Sequence, residues 1–176
     1  IEEFEYAFQL DGPYEPEHGL LFNKDHILLD PYARAVTGQR NWGERPEGGG
    51  DFVYHARVVE NNFDWGKVKQ LEYPLEDLVI YEMHVRGFTK DDSSGVTAKG
   101  TYEGLRQKIP YLKDLGINAV ELMPIFEFDE MESARVVDGK QLYNYWGYNT
   151  VCFFAPNTGY SSVVEHNHEG DELKRM

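Results

Sequence analysis

The sequence predicts an α/β fold in which two parallel strands, joined by a helix, follow the edge of an all-β segment. Three observations carry this expectation. Leu78 to Val85 (LVIYEMHV) is a nearly continuous apolar run, the pattern of a strand covered on both faces as in a parallel sheet. Leu105, Ile109, Leu112 and Leu115 recur at helical spacing. Ile117 to Met123 (INAVELM) then supplies a second apolar strand, ended by Pro124. Strand, helix and strand in this order form a βαβ unit, whose crossover is right-handed almost without exception.

The elements follow in chain order. Ile1 to Leu10 alternates, with Phe4, Tyr6 and Phe8 on one side and Glu3, Glu5 and Gln9 on the other, which predicts a half-buried strand. Gly12, Pro13 and Pro16 mark a turn, and the run HILLDPYARAV is stopped at Asp30-Pro31, because the residue before proline is pushed out of helical space. One strand and one short run cannot close a sheet, so residues 1–37 read as the last edge of a β-domain. Residues 38–74 carry little periodicity and contain GERPEGGGD, the composition of a connector. Trp42, Phe52, Tyr54, Phe63 and Trp65 along it are either a sugar-binding surface or, as aromatics in long connectors usually are, pins to a neighbouring domain. In residues 75–176, Thr101 is the expected N-cap of the helix. Pro110 is expected to kink or divide that helix, and Gly116 to end it in a left-handed conformation.

Composition bounds the partners. A 176-residue chain with 41% hydrophobic and 14% aromatic residues can bury a core. Seventeen basic against thirty-one acidic residues leave a net charge of −14, which repels phosphate backbones and anionic membranes, so neither nucleic acid nor membrane is an expected partner. Cys152 is the sole cysteine; a buried inert thiol is expected, no internal disulfide is possible, and the cytoplasm is the expected compartment. No motif calls for a cofactor. The chain opens on Ile1 and closes on GDELKRM, which reads as the start of a helix, so a piece of a longer protein is expected.

Binding groups in parallel sheets collect beyond the carboxyl ends of the strands. Here those ends are His84 to Thr89 and Pro124 to Tyr160. The second loop exceeds thirty residues, against the usual two to six, which makes a functional role the default expectation. Within it, YNYWGYN sets Tyr143, Tyr145, Trp146 and Tyr148 around Gly147. Their faces suit the C–H faces of pyranose rings, with Asn144 and Asn149 to bond hydroxyls, but such clusters also serve as loop cores. Glu82 and Glu121 fall inside the apolar strands, where a carboxylate needs a partner such as His84 or Arg86. The tail HNHEGDE, with His166, His168, Glu169, Asp171 and Glu172, reads as a solvated loop and helix N-terminus rather than a metal site.

LVIYEMHVRGFT, GTYEGLRQKIPYLKDLGINAVELMPIFEF and NYWGYNTVCFFAPNTGYSS together resemble the α-amylase superfamily of glycoside hydrolases, in its isoamylase-type, glycogen-debranching branch. FNKDHILLDPYARAVTG resembles the end of the carbohydrate-binding-like β-sandwich that precedes the barrel there, and FDWG the join. The resemblance implies an incomplete (β/α)8 TIM barrel, with its first two strands and first helix in residues 75–176, behind the sandwich edge (1–37) and an inter-domain connector (38–74). It implies hydrolysis of α-1,6 branch linkages of glycogen, amylopectin or limit dextrin, with retention, by two carboxyl groups that sit on later strands; no catalytic residue is therefore expected in this chain. Among the substrate-binding residues, Tyr148 matches the tyrosine that stacks on the sugar on the non-reducing side of the cleaved bond. Trp146 and Asn149 flank it. An α-glucan branching enzyme or another superfamily member is one alternative parent. A non-catalytic glycan-binding module is an alternative of a different class.

Overall fold

Tyr6 organises the N-terminal part of the computed structural model, which describes residues 4–38, 41–45, 53–60, 62–165 and 167–176. Its hydroxyl donates to the Asp30 carboxylate at 2.5 Å, and its ring packs on a buried cluster of Ala33, Val36, Ala56, Cys152 and Ala155. Strand β1 (Glu5–Tyr6) pairs antiparallel with a strand from much later in the chain, and two further pieces, β2 (Tyr14–Glu15) and β3 (Leu20–Leu21), pair with each other. The partner of β1 is β4 (Ala56–Arg57), drawn from the stretch expected to be a connector. The single alternating strand expected over Ile1 to Leu10 is not what forms. Among the described residues the ladder covers Glu5–Tyr6, with a backbone bond from the Val58 N–H to the Phe4 carbonyl and a bridge from Phe8 to Leu28, and Phe4 and Phe8 are exposed, because no second sheet of described residues covers that face. Ile1 to Glu3 lie outside the described residues.

The βαβ unit forms. Strands β5 (Ile80–Met83) and β6 (Ala119–Leu122) run parallel, from Ile80 beside Ala119 to Met83 beside Leu122. Between them lie α1 (Val85–Thr89), α2 (Tyr102–Gln107) and α3 (Ile109–Asp114). Thr101 caps α2, its hydroxyl oxygen accepting the Gly104 N–H at 3.1 Å. Pro110 divides the crossover: it stands in the first turn of α3, where the missing N–H has no intrahelical partner to lose. Gly116 ends α3 with φ +87°, and the Ile117 N–H returns to the Leu112 carbonyl at 2.9 Å.

The strands are not covered on both faces. Met83 and Val85 pack with Tyr102, Leu105, Leu112, Phe128 and Tyr160 into the main core, while Ile80 stays 56% exposed and Val79 and Val120 are exposed too. The physical reason is the strand count: a two-stranded sheet has two edges and one helical cover, and no barrel is closed among the described residues. Glu82 and Glu121 sit side by side in register and both are exposed, so neither is the buried, paired carboxylate that the apolar flanks suggested.

The long loop after β6 is itself folded. β7 (Phe126–Phe128) pairs antiparallel with β10 (Thr150–Pro156), and between them β8 (Arg135–Val137) and β9 (Lys140–Leu142) make a hairpin around Asp138 and Gly139, both left-handed as a tight two-residue turn requires. Cys152 and Ala155 of β10 enter the N-terminal cluster, so this strand ties the two parts together; Cys152 is buried, with its thiol facing the Ala33 carbonyl at 3.3 Å.

The last helix, α4 (His168–Arg175), corrects a further expectation. Glu169 and Glu172 are buried rather than solvated. Glu169 pairs with Arg57 of β4 at 2.5 Å, while Glu172 accepts the backbone N–H groups of Ser162 and Glu103. These amides and the guanidinium supply what water would otherwise give the carboxylates. His166 lies outside the described residues.

Candidate functional site

The aromatic loop between β9 and β10 is held by one turn. Gly147 has φ +74°, and a side chain there would overlap the Phe128 ring, so the backbone approaches the core as only glycine allows. The Gly147 N–H donates to Asn144 Oδ1 at 3.3 Å, and the Asn144 N–H to the Glu130 carbonyl at 2.9 Å. The Asn144 side-chain oxygen thereby serves the turn.

Around this turn the rings divide into two groups. Trp42 stacks on Tyr160 (5.5 Å, 6°), meets Phe128 edge-on and has the Arg86 guanidinium 4.6 Å from its centre. The partly buried Trp42 is thereby pinned to the buried Phe128 and Tyr160; Phe63 and Trp65 pair with each other instead, and Phe52 lies outside the described residues. The outer group is Tyr145, Trp146 and Tyr148. Tyr145 lies flat on His84 (4.0 Å, 4°), and Trp146 stands edge-on to Tyr145 and to His84. Tyr148 projects furthest, 71% exposed, and Trp146 is 53% exposed.

A cleft of about 710 Å³ opens beside the turn, walled by Trp42, Tyr143, Asn144, Tyr145, Asn149 and Arg135 among others. Asn149 faces this cleft and donates to Glu132. Of the three residues singled out from sequence, the fold places Asn149 in the cleft wall and leaves Tyr148 and Trp146 outside its lining, on the exposed side of the same turn.

Electrostatics make the inner site a hydrogen-bonding surface beside the Arg86 guanidinium. Burial, followed by the nearby Arg86 charge, holds His84 below its ordinary value against the opposing bond to Tyr145, so the ring is neutral at pH 7. Burial raises Tyr145, and burial with Glu130 and Tyr145 nearby raises Tyr160 well beyond the usual phenol range. Glu127 and Glu130 are fully buried and engaged, Glu127 with the Thr158 N–H at 2.9 Å and Glu130 with the Gly43 N–H at 3.1 Å. Among the described residues no three His, Cys, Asp or Glu side chains are grouped as metal ligands. What remains is a surface that can bind and orient a flat, apolar-faced, hydroxyl-rich molecule.

Sequence reasoning placed His84 at the carboxyl end of the first apolar strand and among the partners offered to Glu82 and Glu121, but missed its bond to the Tyr145 carbonyl and its stacking on the Tyr145 ring. Tyr160 gave no signal, since its contacts come from Trp42, His84 and Tyr102, all distant in the chain.

No protein-family profile matches the sequence. Isoamylase 1, chloroplastic, of Arabidopsis thaliana is 42% identical over 97% of this chain and 22% of its own length. Isoamylase 3, chloroplastic, of Oryza sativa is 44% identical over 90% of this chain and 21% of its own. The glycogen debranching enzyme of Yersinia enterocolitica is 36% identical over 91% and 26%. Among solved structures, a pullulanase from an Anoxybacillus species superposes with TM-score 0.64 and 28% identity, covering 85% of this chain and 21% of that one. A type I pullulanase from Bacillus subtilis, complexed with maltose, gives 0.63, 27%, 86% and 21%. The chain thus spans about a fifth to a quarter of the length of the proteins it is similar to.

Proposed function

We propose, for a chain homologous to the isoamylases and glycogen-debranching enzymes of the α-amylase superfamily, that it forms the substrate-positioning wall of a (β/α)8 barrel that hydrolyses α-1,6 branch linkages in glycogen or amylopectin. In this reading residues 1–37 are the edge of a carbohydrate-binding-like β-sandwich, 38–74 the connector and 75–176 the first part of the barrel. The two carboxyl groups of a retaining glycosidase lie on strands outside this chain, so the wall orients substrate and moves no proton.

The exposed Tyr148 ring on a glycine-fixed turn carries the proposal. A flat face suits both a pyranose and the flattened oxocarbenium-like transition state, and the turn that carries it is fixed at Gly147. Trp146 flanks it, and Asn149 with the adjoining cleft offers room for neighbouring glucose units. The pullulanase structures with maltose and with maltotriose bound support the same class of ligand. A cytoplasmic site of action belongs to this reading and rests on the free buried thiol of Cys152; the plant relatives are chloroplastic by name. No described helix is long and apolar enough to cross a membrane.

The test is reducing-end release from amylopectin. The full-length protein that contains this segment should raise reducing ends and free linear maltooligosaccharides, while the 176-residue chain alone releases none. Chain transfer without new reducing ends would make the parent a branching enzyme. Turnover by the 176-residue chain itself would overturn the wall assignment.

A further inference from the structure

We propose that His84 is a positioning residue: it clamps the backbone of the aromatic turn to the end of β5 and so fixes the direction in which Tyr148 is presented. The proposal rests on Tyr148 being the glucan platform, and it adds what holds the platform still.

The hydrogen-bond network assigns the tautomer. His84 Nδ1 accepts the Gly87 N–H at 3.1 Å as the N-cap of α1, so the single ring proton sits on Nε2. That Nε2–H points at the Tyr145 carbonyl, 2.7 Å away, with the Tyr160 hydroxyl oxygen 3.2 Å from the same nitrogen. The ring also lies parallel to the Tyr145 ring at 4.0 Å, so backbone and side chain of one residue are gripped together. Two residues later Gly147 is seated on Phe128. The turn is thus fixed at both ends, to β5 by His84 and to β7 by Phe128, and Tyr148 is the next residue out. His84 is itself rigid: it is buried, follows the buried Met83 and precedes the buried Val85.

The two nitrogens do separable jobs, and two amides imitate them one at a time. Asparagine places an acceptor where Nδ1 is and keeps the cap of α1, but cannot reach the Tyr145 carbonyl. Glutamine places a donor near Nε2 and keeps the clamp. In the full-length protein acting on amylopectin, His84→Asn should fold normally and lower kcat/KM about tenfold, while His84→Gln stays within about threefold of wild type. Because His84 acts through Tyr148, the Asn substitution should add almost nothing in a Tyr148→Ala background. Gly87→Ala is a second route that leaves His84 in place, since the new methyl would overlap the Tyr145 hydroxyl; it should show the same non-additivity.

Fully additive losses, or a Gln variant as impaired as the Asn variant while both fold, would overturn the proposal. Amide exchange separates this failure from failure of the platform reading. Faster exchange at Trp146 to Tyr148 in His84→Asn, with Gln near wild type, marks loss of the clamp whether or not the ring meets sugar; unchanged exchange in the Asn variant refutes the clamp outright. Clamp loss together with an unimpaired Tyr148→Ala enzyme would remove the platform, and with it the positioning role.

Discussion

Gly147 sets the geometry of the aromatic turn with two constraints at once, a left-handed backbone and contact with the Phe128 ring. Gly147→Ala meets both, and should destabilise the fold by about 2–3 kcal/mol, read from urea unfolding. His84 adds a pH dependence. Its folded value lies below the ordinary 6.5, so between 6.5 and that lower value the unfolded chain binds more protons. Stability should therefore fall as pH drops through that window, and His84→Asn should flatten the dependence, as followed by Tm against pH. The glycine was readable in the sequence because YNYWGYN needs a tight turn among bulky rings. The histidine was not, because its partners are a carbonyl 61 residues away and a tyrosine 76 residues away.

Elements specified by local chemistry form as the sequence indicates. The Thr101 cap, the break at Pro110 and the left-handed stop at Gly116 each depend on residues within one turn. Thr101→Ala should cost about 1 kcal/mol, measurable by denaturant titration. Elements specified at long range differ. β4 pairs with β1 across most of the N-terminal half, which no periodicity in residues 38–74 announces. The stretch of α4 reads as a solvated loop and helix N-terminus because acids suit a first turn, yet Glu169 finds Arg57, 112 residues away, in a pair with both side chains almost fully buried. Glu169→Gln removes the carboxylate charge from this buried pair with Arg57 and should destabilise by about 3 kcal/mol, against under 1 kcal/mol for Lys174→Gln in the partly exposed pair with Asp171, both from unfolding curves.

At the scale of the whole molecule two cores meet through β10. Its Cys152 and Ala155 complete the N-terminal cluster, while the strand pairs with β7 beside the aromatic turn. The apolar runs at Leu78 to Val85 and Ile117 to Met123 were legible as parallel strands, but not their exposure, since burial depends on how many strands lie beside them. Ile80, Val79 and Val120 are exposed because the β5–β6 sheet has two strands among the described residues. On the debranching reading, everything the chain contributes to catalysis passes through the rings presented at the end of this unit. The most direct measurement is therefore kcat/KM on amylopectin for Tyr148→Ala and Tyr148→Phe in the full-length protein. The account predicts a loss of more than about tenfold for Ala, or about 1.4 kcal/mol of transition-state binding, with Phe close to wild type because it keeps the ring. An Ala variant as active as wild type would contradict it.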